Sequence, residues 1–122
     1  MFTSPVAAKA VAHVLRKLNI EFSYVSRKKQ NDCLTYAELD EFLIREHTLI
    51  INTTPLGMSP NLNSAPDIPY EFLTESHYLY DLVYNPEKTL FLTQGELKKA
   101  RTCNGLKMLY LQAEKAWEIW NQ

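Results

Sequence analysis

The sequence predicts an α/β fold with a mostly parallel sheet. Segments with helical spacing of apolar residues alternate with short apolar segments, which is the order expected when helices cover a parallel sheet. The run Leu49–Asn52 is apolar up to its last residue, as in strands that are buried on both faces. The 122 residues fit one domain, 1–122, and 46% of them are hydrophobic, so a buried core can form.

The first helix is predicted over residues 6–18, where apolar residues recur at helical spacing. Ser4 and Pro5 suit the N-cap and the first helical position, because the amide hydrogen that proline lacks has no helical partner there. The helix should end near Asn19, and a strand should follow over residues 20–26.

A second helix is predicted over residues 36–45, with Thr35 as its cap. Three of its residues should face the core: Leu39, Phe42 and Leu43. The remaining elements are, in order, the strand Leu49–Asn52, a long loop over 53–69, a strand over 79–84, a helix over 89–100 that Gly95 can interrupt, a strand or turn over 101–104, and a helix over 105–120.

Charge, cysteines and histidines exclude several classes of protein. A formal net charge of −1 provides no basic surface for nucleic acid. No apolar run reaches the roughly 20 residues that span a bilayer and no signal-peptide pattern begins the chain, so we expect a cytoplasmic protein with no membrane partner. Cys33 and Cys103 should be reduced thiols. The histidines share no metal-ligand spacing, so we predict no metal site and read His13, His47 and His77 as structural or surface residues.

A basic cluster, Arg27-Lys28-Lys29, follows the strand predicted over residues 20–26. In doubly wound nucleotide-binding folds an arginine at the end of the second strand accommodates the 2′-phosphate of NADP, since its planar fork donates two parallel hydrogen bonds. A solvated surface loop has the same composition, and no G-x-G-x-x-G sequence is present to bind a pyrophosphate. The cluster alone leaves both interpretations open.

Three motifs from Ile50 onward resemble the shikimate dehydrogenases and occur in that family's order. They are residues 50–58, Ile-Ile-Asn-Thr-Thr-Pro-Leu-Gly-Met; residues 80–86, Tyr-Asp-Leu-Val-Tyr-Asn-Pro; and residues 104–109, Asn-Gly-Leu-Lys-Met-Leu, followed by Gln112. Residues 8–27 are similar to the family's first helix and second strand. The resemblance covers nearly the whole chain and implies a three-layer, Rossmann-like, doubly wound sheet, with residues 1–122 as the C-terminal nucleotide-binding domain.

The family reversibly reduces 3-dehydroshikimate to shikimate with NADPH, in the pathway to aromatic amino acids, and the resemblance implies this reaction for the full-length parent. It implies cofactor contacts from strand ends and from the closing helix: Ser26, Arg27, Asn52, Thr53, Thr54, Leu82, Gly105 and Met108. It implies substrate contacts from Tyr84 and Gln112. Gly105 would let the backbone approach a flat ring, Met108 would form an apolar wall, and Gln112 can donate to and accept from a hydroxyl.

Two departures from the family limit what the chain should do alone. Nothing in it matches the N-terminal substrate domain with the family's catalytic lysine–aspartate pair, so we assign no catalytic residue and expect the chain alone to be inactive. Residues 3–6, Thr-Ser-Pro-Val, stand where the family has a glycine-rich loop after a first strand. Pro5 lacks an amide for the pyrophosphate and Val6 adds bulk, so we expect a sheet truncated at the first strand and a reduced affinity for NADP.

The truncation predicts two exposed sheet edges, at the strand ending at Ser26 and at the strand ending at Asn52. Such edges favour pairing with another chain, so we expect either direct pairing of these two strands or self-association in which a second copy fills the gap. Two alternatives to a shikimate dehydrogenase domain stay open. One is a non-catalytic remnant that acts as a binding or interaction module, and the other is a domain of a quinate/shikimate dehydrogenase.

Overall fold

The computed structural model describes residues 5–26, 33–54, 56–58, 60, 62–83 and 86–105. Within these ranges the helices are α1 (Pro5–Lys17), α2 (Glu41–Glu46) and α3 (Leu90–Leu97). The strands within the same ranges are β1 (Tyr24–Ser26), β2 (Cys33–Thr35), β3 (Leu49–Asn52), β4 (Tyr78–Asp81) and β5 (Arg101–Cys103). Short 3₁₀ turns precede α2 and β4, at Tyr36–Glu38 and Tyr70–Phe72.

All strand pairs among the described residues are parallel. β1 pairs with β2, and β4 lies between β3 and β5 in a second sheet. In the second sheet Leu49 lies opposite Tyr78, and Tyr78 lies opposite Arg101. Parallel neighbours need a crossover connection, and α3 supplies the one between β4 and β5. The predicted α/β fold is confirmed.

The second sheet buries side chains on both faces. Ile50 of β3 packs in the larger core, which includes Ile44 of α2 and Phe91 of α3. The next residue, Ile51, packs instead in a smaller cluster with Leu15 of α1. Successive side chains of a strand point to opposite faces, so α1 covers one face of the sheet while α2 and α3 cover the other. The layers are those that the sequence predicts.

α1 ends where the sequence predicts, near Asn19. Asn19 adopts a left-handed conformation with φ of 58°, and the amide of Ile20 donates to the carbonyl of Leu15 at 2.9 Å. Asparagine tolerates this conformation better than most residues, so the helix closes in a Schellman-type C-cap. The strand that follows is shorter than predicted, because only Tyr24–Ser26 within residues 20–26 pairs with a neighbour.

The predicted second helix is wrong in its bounds. Its first residues, Tyr36–Glu38, form a 3₁₀ turn that follows β2, and the Glu38 carboxylate accepts from the amide of Thr35 at 3.2 Å. α2 starts only after Asp40, whose side chain caps it. Of the three residues predicted to face the core, Leu39 is buried in it and Leu43 packs against it. Phe42 is instead 65% exposed, and Ile44 is fully buried.

From β3 onward the structure follows the prediction closely and differs mainly at the ends of the helices and strands. β3 has the predicted bounds, while β4 begins one residue early at Tyr78 and ends at Asp81. α3 passes through Gly95 without a break, and a Cβ at this glycine would lie 2.6 Å from Leu79 Cδ2, so the missing side chain lets α3 approach β4. The segment predicted as strand or turn forms β5. The helix predicted over residues 105–120 lies, beyond its first residue, outside the described residues.

β1 and β3 belong to different sheets, so the expectation that these two strands pair directly is wrong. Side chains connect them instead, since Tyr24 of β1 packs on the cluster formed by Leu15 and Ile51. A cavity of about 160 Å³ lies beside this contact, between residues 20–23 and residues 46–49. Occupation of the gap by a second copy stays a prediction.

Candidate functional site

The ends of the parallel strands form the candidate site. Because β3, β4 and β5 run in the same direction, the residues that follow them meet at one edge of the sheet. Asn52 ends β3 opposite Asp81, which ends β4, and Gly105 lies just beyond β5. We call this region the carboxyl edge and define it as residues 52–54, 56–57, 81–83, 89 and 105.

Asn52 is 2% exposed, and its side-chain amide is engaged inside the protein. Its Nδ2 donates to Asp81 Oδ1 at 3.1 Å, and its Oδ1 accepts from the amide and the hydroxyl of Thr54 at 3.0 and 2.7 Å. The Thr54 hydroxyl in turn accepts from the amide of Leu56 at 3.1 Å. Asn52 therefore fixes the turn after β3 and links it to the end of β4.

Asp81 is fully buried, and three donors converge on its carboxylate. Oδ1 accepts from Asn52 and, at 3.0 Å, from the amide of Val83, while Oδ2 accepts from the Thr89 hydroxyl at 2.6 Å. Burial raises the pKa of the Asp81 carboxyl above its ordinary value, and the hydrogen bonds from Thr89, Val83 and Asn52 act against this rise. Without these donors a buried carboxylate at this position would be strongly destabilising.

Thr89 connects the Asp81 carboxylate to α3. Its hydroxyl donates to Asp81 and also accepts from the amide of Leu92 at 3.4 Å, as the N-cap of the helix. The loop at Gly57 passes beside it, and a Cβ on Gly57, whose φ is 98°, would lie 3.1 Å from the Thr89 side chain. The turn after β3 therefore packs against the start of α3.

Gly105 brings the segment after β5 against the end of β4. Its amide donates to the carbonyl of Val83 at 3.3 Å. A Cβ at this position would lie 2.1 Å from the carbonyl oxygen of Leu82, a distance that no backbone tolerates without moving. The amide of Leu82 itself donates to the carbonyl of Asn52 at 3.1 Å, so the three strand ends form one connected unit.

The structure brings five of the predicted site residues together at the carboxyl edge: Asn52, Thr53, Thr54, Leu82 and Gly105. Ser26 ends β1 in the other sheet. The other predicted positions lie outside the described residues: Arg27, Tyr84, Met108 and Gln112. At the edge the three polar residues of the β3 end are almost wholly buried, whereas Leu82 is partly exposed.

Sequence reasoning missed Asp81 and Thr89 as members of the site. The sequence pattern treats Asp81 only as a polar residue that interrupts an apolar strand. An acid in a strand that is buried on both faces is informative in itself, because its charge requires several donors nearby. Thr89, at the start of the helix that follows, is one of those donors.

The structural role predicted for His77 agrees with its contacts. His77 is 3% exposed, and its Nδ1 accepts from the amide of Thr74 at 3.1 Å. Nε2 therefore carries the hydrogen and donates to the carbonyl of Ile44 at 2.7 Å. Both ring nitrogens are used to join the end of α2 to the turn before β4.

Neither a metal centre nor a membrane helix is visible in the described part of the chain. Among the described residues, no three histidine, cysteine, aspartate or glutamate side chains are grouped so that they could hold a metal ion. No helix in the same ranges has both the length and the apolar character needed to cross a membrane.

Comparison with known proteins finds relatives over nearly the whole chain. The shikimate dehydrogenase (NADP(+)) of Desulforamulus reducens is 44% identical over 75 residues, which are 62% of this chain and 26% of that protein. The protein of the same name from Caldicellulosiruptor saccharolyticus is 33% identical over 127 residues, which are 93% of this chain and 46% of that protein. No protein-family model matches the chain. The chain thus spans less than half the length of these curated relatives.

Solved structures show the same relationship. The shikimate 5-dehydrogenase of Listeria monocytogenes, in complex with shikimate and NAD, matches 98% of this chain with 50% of its own, at a TM-score of 0.78 and 26% identity. The enzyme of Thermus thermophilus, in complex with NADP(H) and shikimate, matches 98% of this chain with 47% of its own, at a TM-score of 0.78 and 27% identity. The chain therefore belongs to the shikimate dehydrogenase family and has the parallel α/β fold of that family's NAD(P)-binding domain.

Proposed function

We propose that the chain forms the cofactor-binding side of an NADP-dependent shikimate dehydrogenase. In the full-length protein, NADPH would supply the hydride for the reversible reduction of 3-dehydroshikimate to shikimate. One observation carries the proposal: β3, β4 and β5 are parallel, so their ends lie together at the carboxyl edge. Open parallel sheets bind their ligands outside the carboxyl ends of the strands. Similarity to NADP-dependent enzymes over 93% of the chain supports it.

The described residues of the edge fit a flat, uncharged ring. Leu82 is partly exposed and offers apolar surface, and Gly105 adds no side-chain bulk beside it. We therefore assign Leu82 and Gly105, together with Met108, to the nicotinamide. At the other end of the cofactor we assign Ser26 and Arg27 to the adenosine 2′-phosphate, for which the arginine fork is suited.

Asn52 and Thr54 would shape the cofactor groove without donating hydrogen bonds to the cofactor. Their side chains already form a hydrogen bond with each other, the Asn52 side chain also donates to Asp81, and both residues are almost wholly buried. Thr53, between them, is 4% exposed, so its contact with the cofactor would come from its backbone. We therefore propose that these three residues serve the cofactor by setting the position and shape of the turn after β3.

Tyr84 and Gln112 are the proposed substrate-binding residues. A phenol and an amide can each donate to and accept from a ring hydroxyl. Hydride transfer to a carbonyl also needs a proton donor, and we assign that group to the part of the family's proteins that this chain does not match. The chain alone should therefore bind cofactor but should not turn over substrate.

Titration with NADPH and with NADH, followed by nicotinamide fluorescence, tests the proposal. We expect NADPH to bind more tightly than NADH, because only NADPH carries the 2′-phosphate that Arg27 would contact. The Arg27→Ala variant should lose this preference, with NADPH affinity falling about tenfold and NADH affinity unchanged, as expected for a lost charged hydrogen bond.

Arg101→Ala is the matched control for this titration. Arg101 is exposed at the amino end of β5, away from the carboxyl edge, so its removal changes the charge equally without touching the proposed site. Equal affinity of the wild-type protein for NADPH and NADH, or an equal loss of affinity in both variants, would contradict the proposed role of Arg27.

A second candidate function, an interaction module, is favoured by the separation of β1 from β3. Among the described residues β1 pairs with β2 and β3 pairs with β4, so the strands divide into two sheets between β1 and β3, and a division of this kind offers a place where a strand of another chain can add. Light scattering across a concentration series separates the two functions. Self-association with no binding of either nicotinamide cofactor would favour the module.

A further inference from the structure

A single buried carboxylate joins the segments that form the carboxyl edge. Asp81 accepts hydrogen bonds from Asn52 at the end of β3, from Val83 after β4 and from Thr89 at the start of α3. Asp81 is fully buried, so it cannot touch a ligand bound at the surface. Any effect that it has on such a ligand acts through the groups that it holds.

Asn52 and Val83, two of the residues that donate to Asp81, connect it to the rest of the carboxyl edge. Asn52 holds the turn after β3 through its two hydrogen bonds from Thr54. Val83, held by its amide, offers its carbonyl to the amide of Gly105. Because the two oxygens of one side chain accept all three hydrogen bonds, removal of these oxygens should loosen the segments together.

We propose that Asp81 is the positioning residue of the carboxyl edge: it holds the turns after β3 and β4 in the arrangement to which the nicotinamide cofactor binds. The inference rests on the proposed function, because that function names the ligand whose affinity Asp81 would set. It assigns Asp81 no contact with cofactor or substrate and no proton transfer.

Two variants separate the shape of Asp81 from its charge. Asp81→Asn keeps the side-chain shape and one acceptor oxygen, whereas Asp81→Ala removes every acceptor. Glu75→Gln is the matched control, since it replaces an exposed carboxylate by an amide just before β4, at the opposite end of that strand. Amide hydrogen exchange and NADPH titration are measured on all of them and on the wild-type protein.

We expect a local change in exchange in the alanine variant. The amide of Val83, which donates to Asp81, should exchange at least about tenfold faster, the change expected when a hydrogen bond to a charged group is lost. The amide of Thr54, which Asp81 holds only through Asn52, should exchange faster by a smaller factor. The amide of Tyr78, which donates to the carbonyl of Thr48 at the opposite end of the sheet, should keep its wild-type rate. Asp81→Asn should recover most of the lost protection, and Glu75→Gln should behave as wild type.

NADPH affinity should follow the same order. We expect it to fall about tenfold in Asp81→Ala and by a smaller factor in Asp81→Asn. The preference for NADPH over NADH should stay unchanged in both, because Asp81 acts on the shape of the edge and not on the 2′-phosphate. If the alanine variant does not fold, a smaller but selective effect of Asp81→Asn on both measurements is the expected result.

Three results would overturn the inference. One is uniformly faster exchange that includes Tyr78, since this would reveal a general loss of stability. Another is an alanine variant with selectively faster exchange at Val83 and Thr54 but with the wild-type affinity for NADPH. The third is an Asp81→Asn variant that shows no change in either exchange or NADPH affinity. If the wild-type protein binds no NADPH, the proposed function fails, and the exchange pattern still decides whether Asp81 holds the edge.

Discussion

Asn52 and Asp81 lie opposite each other in the register of β3 and β4, and the Asn52 amide donates to the Asp81 carboxylate at 3.1 Å. The two residues are 29 positions apart in sequence and both are buried. A slip of one residue in this pairing would place each polar side chain against apolar neighbours on the wrong face. The pair therefore fixes the register of the two strands as well as the shape of their ends.

The buried carboxylate predicts a pH dependence of stability. Because burial raises the pKa of Asp81, the folded protein holds a proton on this group at pH values where the unfolded chain has lost it. The stability that Asp81 contributes is therefore fully present below the ordinary aspartate pKa and is lost as the pH rises through the raised pKa. Asp81→Asn cannot titrate, so it should become more stable relative to wild type as the pH rises above the ordinary aspartate pKa of about 4.

Urea unfolding of both proteins at several pH values above the ordinary aspartate pKa checks the sign. All other titrating groups are shared, so their effects cancel in the difference between the two free energies of unfolding. A difference that changes in favour of the wild-type protein as the pH rises would mean that the hydrogen bonds to Asp81 outweigh its burial, with the pKa lowered instead.

Gly105→Ala should be strongly destabilising. Its Cβ would lie 2.1 Å from the Leu82 carbonyl oxygen, so the segment after β5 must move away from β4. We expect the free energy of unfolding to fall by about 3 kcal/mol or more. Gly95→Ala is the control, because the added Cβ there meets only the end of the Leu79 side chain.

In the control, the gain in helix propensity of about 1 kcal/mol offsets part of the crowding at Leu79. The two variants should therefore differ clearly in chemical denaturation. Equal losses of stability would mean that the segment at Gly105 shifts easily, and its close approach to Leu82 would then have no structural importance.

His77→Leu should lower the free energy of unfolding by about 2 kcal/mol, because the buried Ile44 carbonyl loses its 2.7 Å hydrogen bond and the Thr74 amide loses its side-chain acceptor. His77→Gln should recover about half of this loss, since its amide can donate to Ile44 but cannot also accept from Thr74. His13→Leu, on the exposed side of α1, should change stability by less than about 0.5 kcal/mol. Urea unfolding of the three variants measures their free energies of unfolding. If His77→Gln lost as much stability as His77→Leu, the donor role of Nε2 would be contradicted.

Lys99→Gly should stabilise the protein. Lys99 adopts a left-handed conformation with φ of 65° where α3 ends, and its amide donates to the carbonyl of Glu96 at 2.9 Å. Glycine has no Cβ penalty in this conformation, so we expect a gain of about 1 kcal/mol. The neighbouring residue provides the control: Lys98 has a φ of −99°, and Lys98→Gly should lower stability by about 0.5 kcal/mol. Thermal unfolding should shift in opposite directions for the two variants.

The sequence predicts the strands of the second sheet well because their patterns are unambiguous. Leu49–Ile51 is a continuous apolar run that ends at the polar Asn52, and the structure has β3 at the predicted bounds, Leu49–Asn52. β2 is missed because Cys33–Thr35 is only three residues long and adjoins a pattern with helical spacing. The same pattern hides the break at Asp40, which shifts the start of α2 and turns Phe42 outward.

The candidate site is predictable in position but not in its connections. The motif from Asn52 to Thr54 and the glycine at position 105 mark the edge, and the structure brings them together. The hydrogen bonds that make this edge one unit run through Asp81 and Thr89, whose partners are set by strand register and by the cap of α3. Sequence spacing does not contain that information, because it depends on which strands become neighbours.

In the described residues, every pair of hydrogen-bonded strands is consecutive in sequence. The strands therefore form two separate groups, β1–β2 and β3–β4–β5, each from one continuous stretch of the chain. Each can form or open as its own cooperative unit, and the two-stranded one, with three residues per strand, should open at the lower free energy. Ser26 lies on that weaker unit and Leu82 on the stronger one. A dinucleotide that spans both would meet a preformed surface at its nicotinamide end. At its adenosine end it would have to order the β1–β2 part of the protein, and most of the conformational entropy that the protein loses on binding would be lost there.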